Sequence, residues 1–341
     1  MTEAAPAEPI MAEAATADTT MTGTATTEAA SAETAAAVFR SGLVSIVGRP
    51  NAGKSTLVNA LVGQKVAIVS SRPQTTRHII SGVVDRPEAQ LVLVDTPGLH
   101  KPRSLLGERL NALAREAWSQ VDGVAVCFPS DQRIGPGDRF LIGQLAQLAG
   151  RPKLAALATK TDLVSPGRLR QHLIAIQRAA HDLELDWTDI VPVSALTGDQ
   201  VEDVAQVLID WLPPGPRLYP AGMASGESEI TIMAEIIREA CLELVDDELP
   251  HSIVVRVDEV RPRPDRPVDR PLLDVFASIV VERDSQKAIV LGAGGSRLKA
   301  VGTASRRQLE RLLGQAVYLD LRVKVLKQWQ RDPKKLDRLG F

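Results

Sequence analysis

From Gly42 onward the chain alternates short apolar runs with stretches of helical period. The runs are GLVSIVG, QLVLVDTPG, VDGVAVCF, KLAALATK and DIVPVSA, each about the length of a buried strand. Between them, Leu105–Trp118 and Val201–Trp211 repeat their apolar residues at helical spacing. Strands alternating with helices over ~170 residues predict an α/β domain with a mostly parallel sheet and helices on both faces. Ligands of such sheets bind at the carboxyl ends of the strands. Pro213, Pro214, Gly215 and Pro216 then break the pattern, because consecutive prolines cannot continue the helix before them.

A second pattern follows. Ile230–Val245 reads as a helix, SIVVRVDEV and LLDVFASIVV as strands, and Ser296–Leu313 as a second long helix. Val317, Leu319, Leu321, Val323 and Val325 alternate with mostly polar residues, the signature of a half-buried strand. This half is expected to be a separate α+β domain. Residues 1–37 are nearly all Ala, Thr, Glu, Met and Pro, with no aromatic residue and no period. Such a stretch cannot bury enough apolar surface to order itself. The expected organisation is a disordered acidic tail over residues 1–39, a first domain over 40–213, a linker over 214–225 and a second domain over 226–341.

Charge sharpens this division. Residues 1–37 hold no Lys or Arg, whereas Ser285–Phe341 hold 13 against 4 Asp and Glu. A basic end of this kind is the electrostatic footprint of a polyanion partner, or else a solvated helix face. Cys127 and Cys241 stand far apart, so neither a disulfide framework nor a zinc site is expected. The N-terminus has neither the basic start nor the apolar core of a signal peptide, and a cytosolic location is expected.

The first domain carries chemistry at the ends of its strands. Gly48, Arg49, Pro50, Asn51, Ala52, Gly53, Lys54 and Ser55 match G-x-x-x-x-G-K-[ST], and Thr56 continues into a helical stretch. A loop of this composition turns backbone N–H groups inward around phosphates, and the helix start adds its positive dipole end. Lys54 then reaches the β- and γ-phosphates, and the Ser55 hydroxyl ligates Mg²⁺. Asp95, Thr96, Pro97 and Gly98 close the run QLVLV, where Asp95 can hold Mg²⁺ through water and the Gly98 N–H can sense the γ-phosphate. Gln74, Thr75, Thr76 and Arg77 form a polar loop between the two motifs, able to place a threonine hydroxyl on the metal; Thr75 and Thr76 remain equal candidates. Thr159, Lys160, Thr161 and Asp162 end another strand. The Asp162 carboxylate can accept from both N1–H and the exocyclic amine of guanine, donors that adenine lacks. Ser194, Ala195 and Leu196 follow the next strand and offer backbone contacts to the base.

In this order and spacing the five stretches resemble the motifs of translation-factor-class GTPases. GRPNAGKST, QTTR and DTPGLH are similar to the Era family in particular. The resemblance implies a P-loop NTPase G domain that uses GTP and Mg²⁺. Two residues bear on its chemistry. The family's base motif begins with Asn where this chain has Thr159, which implies weaker base affinity with guanine selectivity kept. Leu99 stands where Ras-like proteins carry a water-orienting Gln, which predicts slow intrinsic hydrolysis. Several GTPases of that kind use K⁺, and by this resemblance Asn51 is a candidate K⁺ ligand; a loop-stabilising amide is the other reading.

In the second domain the run Ile289–Leu291, read as an apolar strand, leads into Gly292, Ala293, Gly294 and Gly295, which open the helix Ser296–Leu313. On that helix Leu298, Val301, Leu309, Leu312 and Leu313 fall on one side, with Arg297, Arg306, Arg307 and Arg311 mostly opposite. A glycine loop at a helix start lets backbone approach phosphates, as the GXXG loop of KH domains does. The element order helix–strand–strand–helix–helix–strand resembles a type II KH domain, which the Era family carries after its G domain. The ending VKVLKQWQRDPKKLDRLGF is also similar to that family. Ala293 replaces a residue that is often basic there, so phosphate contact falls more to Lys287, Arg297 and Lys299, with Arg306 further along the helix.

The resemblance as a whole implies a GTP-hydrolysing switch that binds small-subunit ribosomal RNA near its 3′ end and assists small ribosomal subunit assembly. RNA and not DNA is the implied partner, with loose peripheral association at the cytoplasmic face of the cell membrane. The competing class is an RNA-independent signalling or membrane-associated GTPase; a P-loop kinase or ATPase is disfavoured by Asp162.

Overall fold

The computed structural model describes residues 38–69, 80–95, 104–148, 152–244, 253–264, 266–267 and 270–341. The tail over residues 1–37 lies outside the described residues. In chain order the elements of the first half are β1 (Arg40–Gly48), α1 (Lys54–Val62), β2 (Ile80–Asp85), β3 (Ala89–Asp95), α2 (Leu105–Ser119), β4 (Gly123–Pro129), α3 (Pro136–Ala146), β5 (Lys153–Thr159), α4 (Pro166–His181), β6 (Asp189–Val193) and α5 (Val201–Asp210). Those of the second are α6 (Glu229–Leu244), β7 (Val254–Pro262), β8 (Leu272–Val281), α7 (Asp284–Leu291), α8 (Ser296–Leu313), β9 (Ala316–Val325) and α9 (Pro333–Leu339).

The first six strands form one sheet in the order β2-β3-β1-β4-β5-β6. Every pair is parallel except β2–β3. Strands β3 and β4 are buried at every position, because helices cover both faces. On one face Leu57 and Val58 of α1 and Val204 and Leu208 of α5 pack on Ile46, Leu91 and Leu157. On the other, Trp118, Leu141, Ile142 and Ile176 pack on Val126, Phe128 and Ala156. The parallel order brings the carboxyl ends of β1, β3, β5 and β6 to one rim, where all the nucleotide motifs sit.

Strand β2 has no clear sequence signal, since Ser81 and Gly82 interrupt its apolar run. It exists through pairing: Gly82 faces Leu93 in the antiparallel register, and on its open side Val83 N–H donates to Ala224 O and Gly226 N–H to Ser81 O. The segment expected as a linker is therefore strapped to the sheet. Arg217 pairs with Asp85 at 2.5 Å, and Gln90 Oε1 accepts from the Leu218 and Tyr219 N–H groups.

The second sheet has the order β7-β8-β9, antiparallel then parallel, under α6, α7 and α8. Ile289–Leu291 forms no strand. It is the last turn of α7, with only Val290 buried; three apolar residues in a row fit either element, and helix packing decides. Leu312, placed on the apolar side of its helix by spacing, is 40% exposed, while Ser305 takes a buried position. A fourth apolar cluster joins the two halves: Leu106 and Leu110 of α2 meet Val254, Val280, Trp329 and Leu336.

Candidate functional site

Strand β1 delivers residues 48–53 to the start of α1. A Cβ on Gly48 would lie 2.8 Å from the Cys127 carbonyl, so only glycine lets the loop pass. Asn51 (φ 62°) and Gly53 (φ 90°) both take left-handed backbone, the alternation that turns N–H groups inward as an anion nest. Lys54 is the first residue of α1 and is buried; its Nζ donates to the Gly48 carbonyl at 3.1 Å and the Arg49 carbonyl at 3.0 Å. Burial pushes the Lys54 pKa down, opposed by the nearby Asp95 carboxylate. Asp95 ends β3 fully buried, and the Ser55 hydroxyl donates to its Oδ2 at 2.8 Å. A hydroxyl beside a buried carboxylate at a phosphate cradle is a hard-oxygen pair that suits Mg²⁺.

The Arg49 side chain is turned away from this cradle. Its Nε meets Asp138 at the start of α3 at 2.6 Å, with Nη2 3.2 Å from Gln132 Oε1. Arg49 thus offers a phosphate its backbone N–H only. Thr75 and Thr76, and Thr96, Pro97 and Gly98, lie outside the described residues, as does Leu99.

At the base end, β5 stops at Thr159 and β6 at Val193. The buried Thr159 hydroxyl donates to the Ala52 carbonyl at 2.7 Å, so this residue braces the phosphate loop against the base loop. Ser194 Oγ, fully buried, donates to Asp162 Oδ1 at 2.6 Å and accepts from the Thr197 N–H at 3.2 Å. That leaves Asp162 exposed yet oriented. Lys160 adopts φ 59°, Ala195 is half-buried, and Leu196 is 80% exposed. Thr159→Val is expected to strand the Ala52 carbonyl, at about 1–3 kcal/mol. Release of a fluorescent GDP should speed up by roughly 10- to 100-fold, whereas Thr159→Ser should behave as wild type. Equal release rates for the valine and serine variants would remove the brace.

The second candidate surface lies where α7 turns into α8. Gly292 has φ 69°, and a Cβ there would sit 2.7 Å from Arg297 Cβ. Arg297 reaches back to the Ile289 carbonyl at 2.8 Å and so ties the glycine turn to α7. Beyond the turn an open cleft of about 410 Å³ runs between α8 and β9. It brings together Gly295, Lys299 and Arg306 from the expected set; Lys287 and Ala293 lie outside its walls. Sequence reasoning missed its other side, Tyr318, Leu319 and Leu321 of β9. The available signal was Tyr318, an aromatic on the polar side of the alternating strand; it is 45% exposed, with the Arg263 guanidinium 4.5 Å over its ring.

Residues 43–160 match a family described as 50S ribosome-binding GTPase, and residues 248–330 match the KH domain family. The chain is 57% identical to the GTPase Era of Streptomyces coelicolor over 91% of its own length and 98% of that protein's. It belongs to the GTPase Era family. The Era of Mycobacterium avium is likewise 57% identical, over 89% of this chain and 99% of that one. Two solved Era structures superpose with TM-scores of 0.82 over 89% of this chain and 99% of theirs. One is a variant from Aquifex aeolicus bound to GDP·AlF4⁻, at 32% identity; the other is Era with MgGDPNP and nucleotides 1506–1542 of 16S ribosomal RNA, at 33%. As an Era-family protein the chain is a GTPase joined to an RNA-binding KH domain, with the α/β-plus-α+β architecture expected from its sequence.

Proposed function

We propose that this GTPase is a cytoplasmic switch that holds small-subunit ribosomal RNA near its 3′ end and assists small-subunit assembly in a GTP-dependent manner. The observation that carries this reading is the coexistence, in one chain, of the phosphate loop with its Ser55–Asp95 pair and the glycine-turn cleft between α8 and β9. It is supported by the Era complex with MgGDPNP and 16S rRNA nucleotides, which overlays 89% of the chain. In the proposed site the backbone of residues 48–53 and the Lys54 ammonium hold the phosphates. Ser55 and Asp95, with Thr75 or Thr76, hold Mg²⁺, Gly98 senses the γ-phosphate, and Asp162 reads guanine. Mg²⁺ supplies neutralisation of charge on the β- and γ-oxygens. Lys299, Arg306 and the glycine turn receive the RNA backbone, and Tyr318 offers one stacking face.

Between the two sites lies a direct contact. Val69 N–H, immediately before the segment that carries Thr75 and Thr76, donates to Glu239 Oε1 of α6 at 2.9 Å. Lys65 pairs with the other Glu239 oxygen and donates to Gln308 Oε1 of α8 at 2.7 Å. A buried carboxylate with two partners from the nucleotide half ties the start of that segment to the RNA-binding helices. RNA affinity in the GTP-analogue state is expected to differ from that in the GDP state. Glu239→Ala should bring the two within about threefold of each other. Fluorescence anisotropy with a 3′-end RNA reads this, and equal affinities in the wild type would overturn the coupling.

GTP hydrolysis in K⁺ and in Na⁺ buffer, with and without that RNA, tests the whole reading. A rate that rises with the 3′-end RNA and not with a scrambled one supports it; a rate indifferent to RNA overturns the RNA-linked switch. K⁺ dependence supports Asn51 as a K⁺ ligand. Peripheral membrane association rests on the basic Ser285–Phe341 stretch; no described helix is long and apolar enough to cross a membrane.

A further inference from the structure

A cleft of about 700 Å³ opens between α3 and α4, on the face of the first sheet away from α1, and none of the nucleotide motifs lines it. Its floor is polar and buried. Ser130 is 1% exposed and His172 7%, and neither Ser130 Oγ nor His172 Nε2 has a hydrogen-bond partner among the described residues. The other ring nitrogen of His172 bonds to the Phe128 backbone, which leaves Nε2 as the outward atom. Its rim is cationic. Arg133 and Arg178 have no carboxylate partner among the described residues, and Arg168 donates to the Asp131 carbonyl at 3.0 Å. Arg139 is offset by Asp182, 3.1 Å away. One wall is apolar, with Ile174 46% exposed.

Each of these features asks something of a ligand. A buried polar atom left without a partner costs about 1–3 kcal/mol, and two such atoms side by side in one cleft call for an occupant that satisfies both. Desolvation pushes the His172 pKa down, so at neutral pH its imidazole is uncharged and Nε2 accepts a hydrogen bond. Ser130 can donate or accept. Guanidinium forks fit phosphate oxygens in pairs, and Ile174 favours a flat or apolar body. The volume lies in the range of small-molecule sites, roughly 300–1,000 Å³. We propose that the cleft between α3 and α4 is a second ligand site, which takes a mononucleotide-sized phosphate ester through Arg133, Arg168 and Arg178, with a ligand O–H or N–H on His172.

The site shares a wall with the guanine loop. Ser130 N–H donates to the Thr159 carbonyl at 2.8 Å, and the Asp131 carboxylate lies 3.9 Å from the Lys160 ammonium. An occupant that fixes Ser130 therefore fixes the end of β5, and slows guanine nucleotide release. This regulatory half rests on the assignment of Thr159–Asp162 to the base; the binding half does not.

The test uses the full chain saturated with GDP and Mg²⁺, titrated calorimetrically with AMP, inorganic pyrophosphate or a short single-stranded RNA. One AMP per chain is expected, with an affinity in the micromolar to low-millimolar range. The double variant Arg133→Glu/Arg178→Glu should weaken it at least tenfold, with the unfolding midpoint and GDP affinity unchanged. His172→Phe should weaken AMP more than pyrophosphate. No AMP binding, or AMP binding unaltered in the double variant, overturns the site. Pyrophosphate binding alone overturns the ester in favour of a bare-anion patch. RNA binding lost in the double variant, without AMP binding, overturns it in favour of an RNA contact. AMP binding that leaves the GDP release rate unchanged overturns the regulatory half.

Discussion

Lys54→Met is expected to leave the chain folded and to lower GTP affinity by on the order of 10²–10⁴. The side chain is buried at the start of α1, and its ammonium is held by the Gly48 and Arg49 carbonyls at the lip of the phosphate loop. Two charge-assisted hydrogen bonds to phosphate, each about 1.5–3 kcal/mol, account for that range. Methionine keeps the apolar stem and removes the charge. Two effects on the nucleotide-free protein oppose each other: the variant relieves a desolvated cation, and it deprives Asp95 of its cationic neighbour. Its unfolding midpoint should therefore move by a few degrees at most, while nucleotide binding by calorimetry fails at micromolar concentrations. The wild type adds a sign that can be checked. Burial holds the Lys54 pKa below the ordinary lysine value of 10.5, so its ammonium deprotonates early as pH rises and GTP affinity should fall through the alkaline range. Lys54→Met lacks that contribution. A variant that binds GTP like the wild type would take Lys54 out of the phosphate site.

Trp329→Ala is expected to lower stability by about 3–5 kcal/mol. For a chain of this size that is on the order of 10 °C in the unfolding midpoint. Trp329 is fully buried, stacked on Phe341 with ring centroids 5.9 Å apart, and packed in the cluster with Leu106 and Leu110 of α2. The turn at Trp329 and helix α9 thereby fasten the end of the chain to the nucleotide half. Beside this cluster Arg109 donates to Asp337 at 2.6 Å and to the Phe341 carbonyl at 2.7 Å. Asp337 is 64% exposed, so Arg109→Ala should cost only ~0–1 kcal/mol by comparison. Thermal unfolding reads the size of the tryptophan effect. Hydrogen exchange reads its place: α2 and α9 should both lose protection, and a loss confined to α9 would show that the cluster does not support α2. Helix α2 begins at Leu105, a few residues beyond Gly98, so a loosened α2 should also raise the mobility of the γ-phosphate-sensing segment.

Much of the first domain was legible because its signals are contiguous. Strands β1, β3, β4, β5 and β6 are unbroken apolar runs, and the phosphate loop is spelled within eight residues. Strand β2 was not legible, since Ser81 and Gly82 interrupt it and its hydrogen bonds come from β3 and from residues 224–226. Ile289–Leu291 misled for the converse reason: its local composition suits a strand, but Val290 is buried within a helix. Arg49 belongs to the phosphate motif by position, yet its guanidinium pairs with Asp138, 89 residues away. Tyr318 looked like one more polar-side residue of β9 until α8 was laid beside it.

The sequence by itself determined the chemistry that backbone and adjacent residues can encode: the loop that cradles phosphate, the carboxylate that reads guanine, the glycine turn before a basic helix, and the family they belong to. Local order suffices there because glycine freedom, helix starts and strand ends are set within a few residues. The tertiary structure alone decided which side chains are already engaged and which face a cleft. Thr159 finds Ala52 across 107 residues, Lys65 finds Gln308 across 243, and Ser130 meets His172 only because α4 packs beside the end of β4. Such contacts depend on how strands are ordered and helices laid over them, and no short window of sequence carries that information.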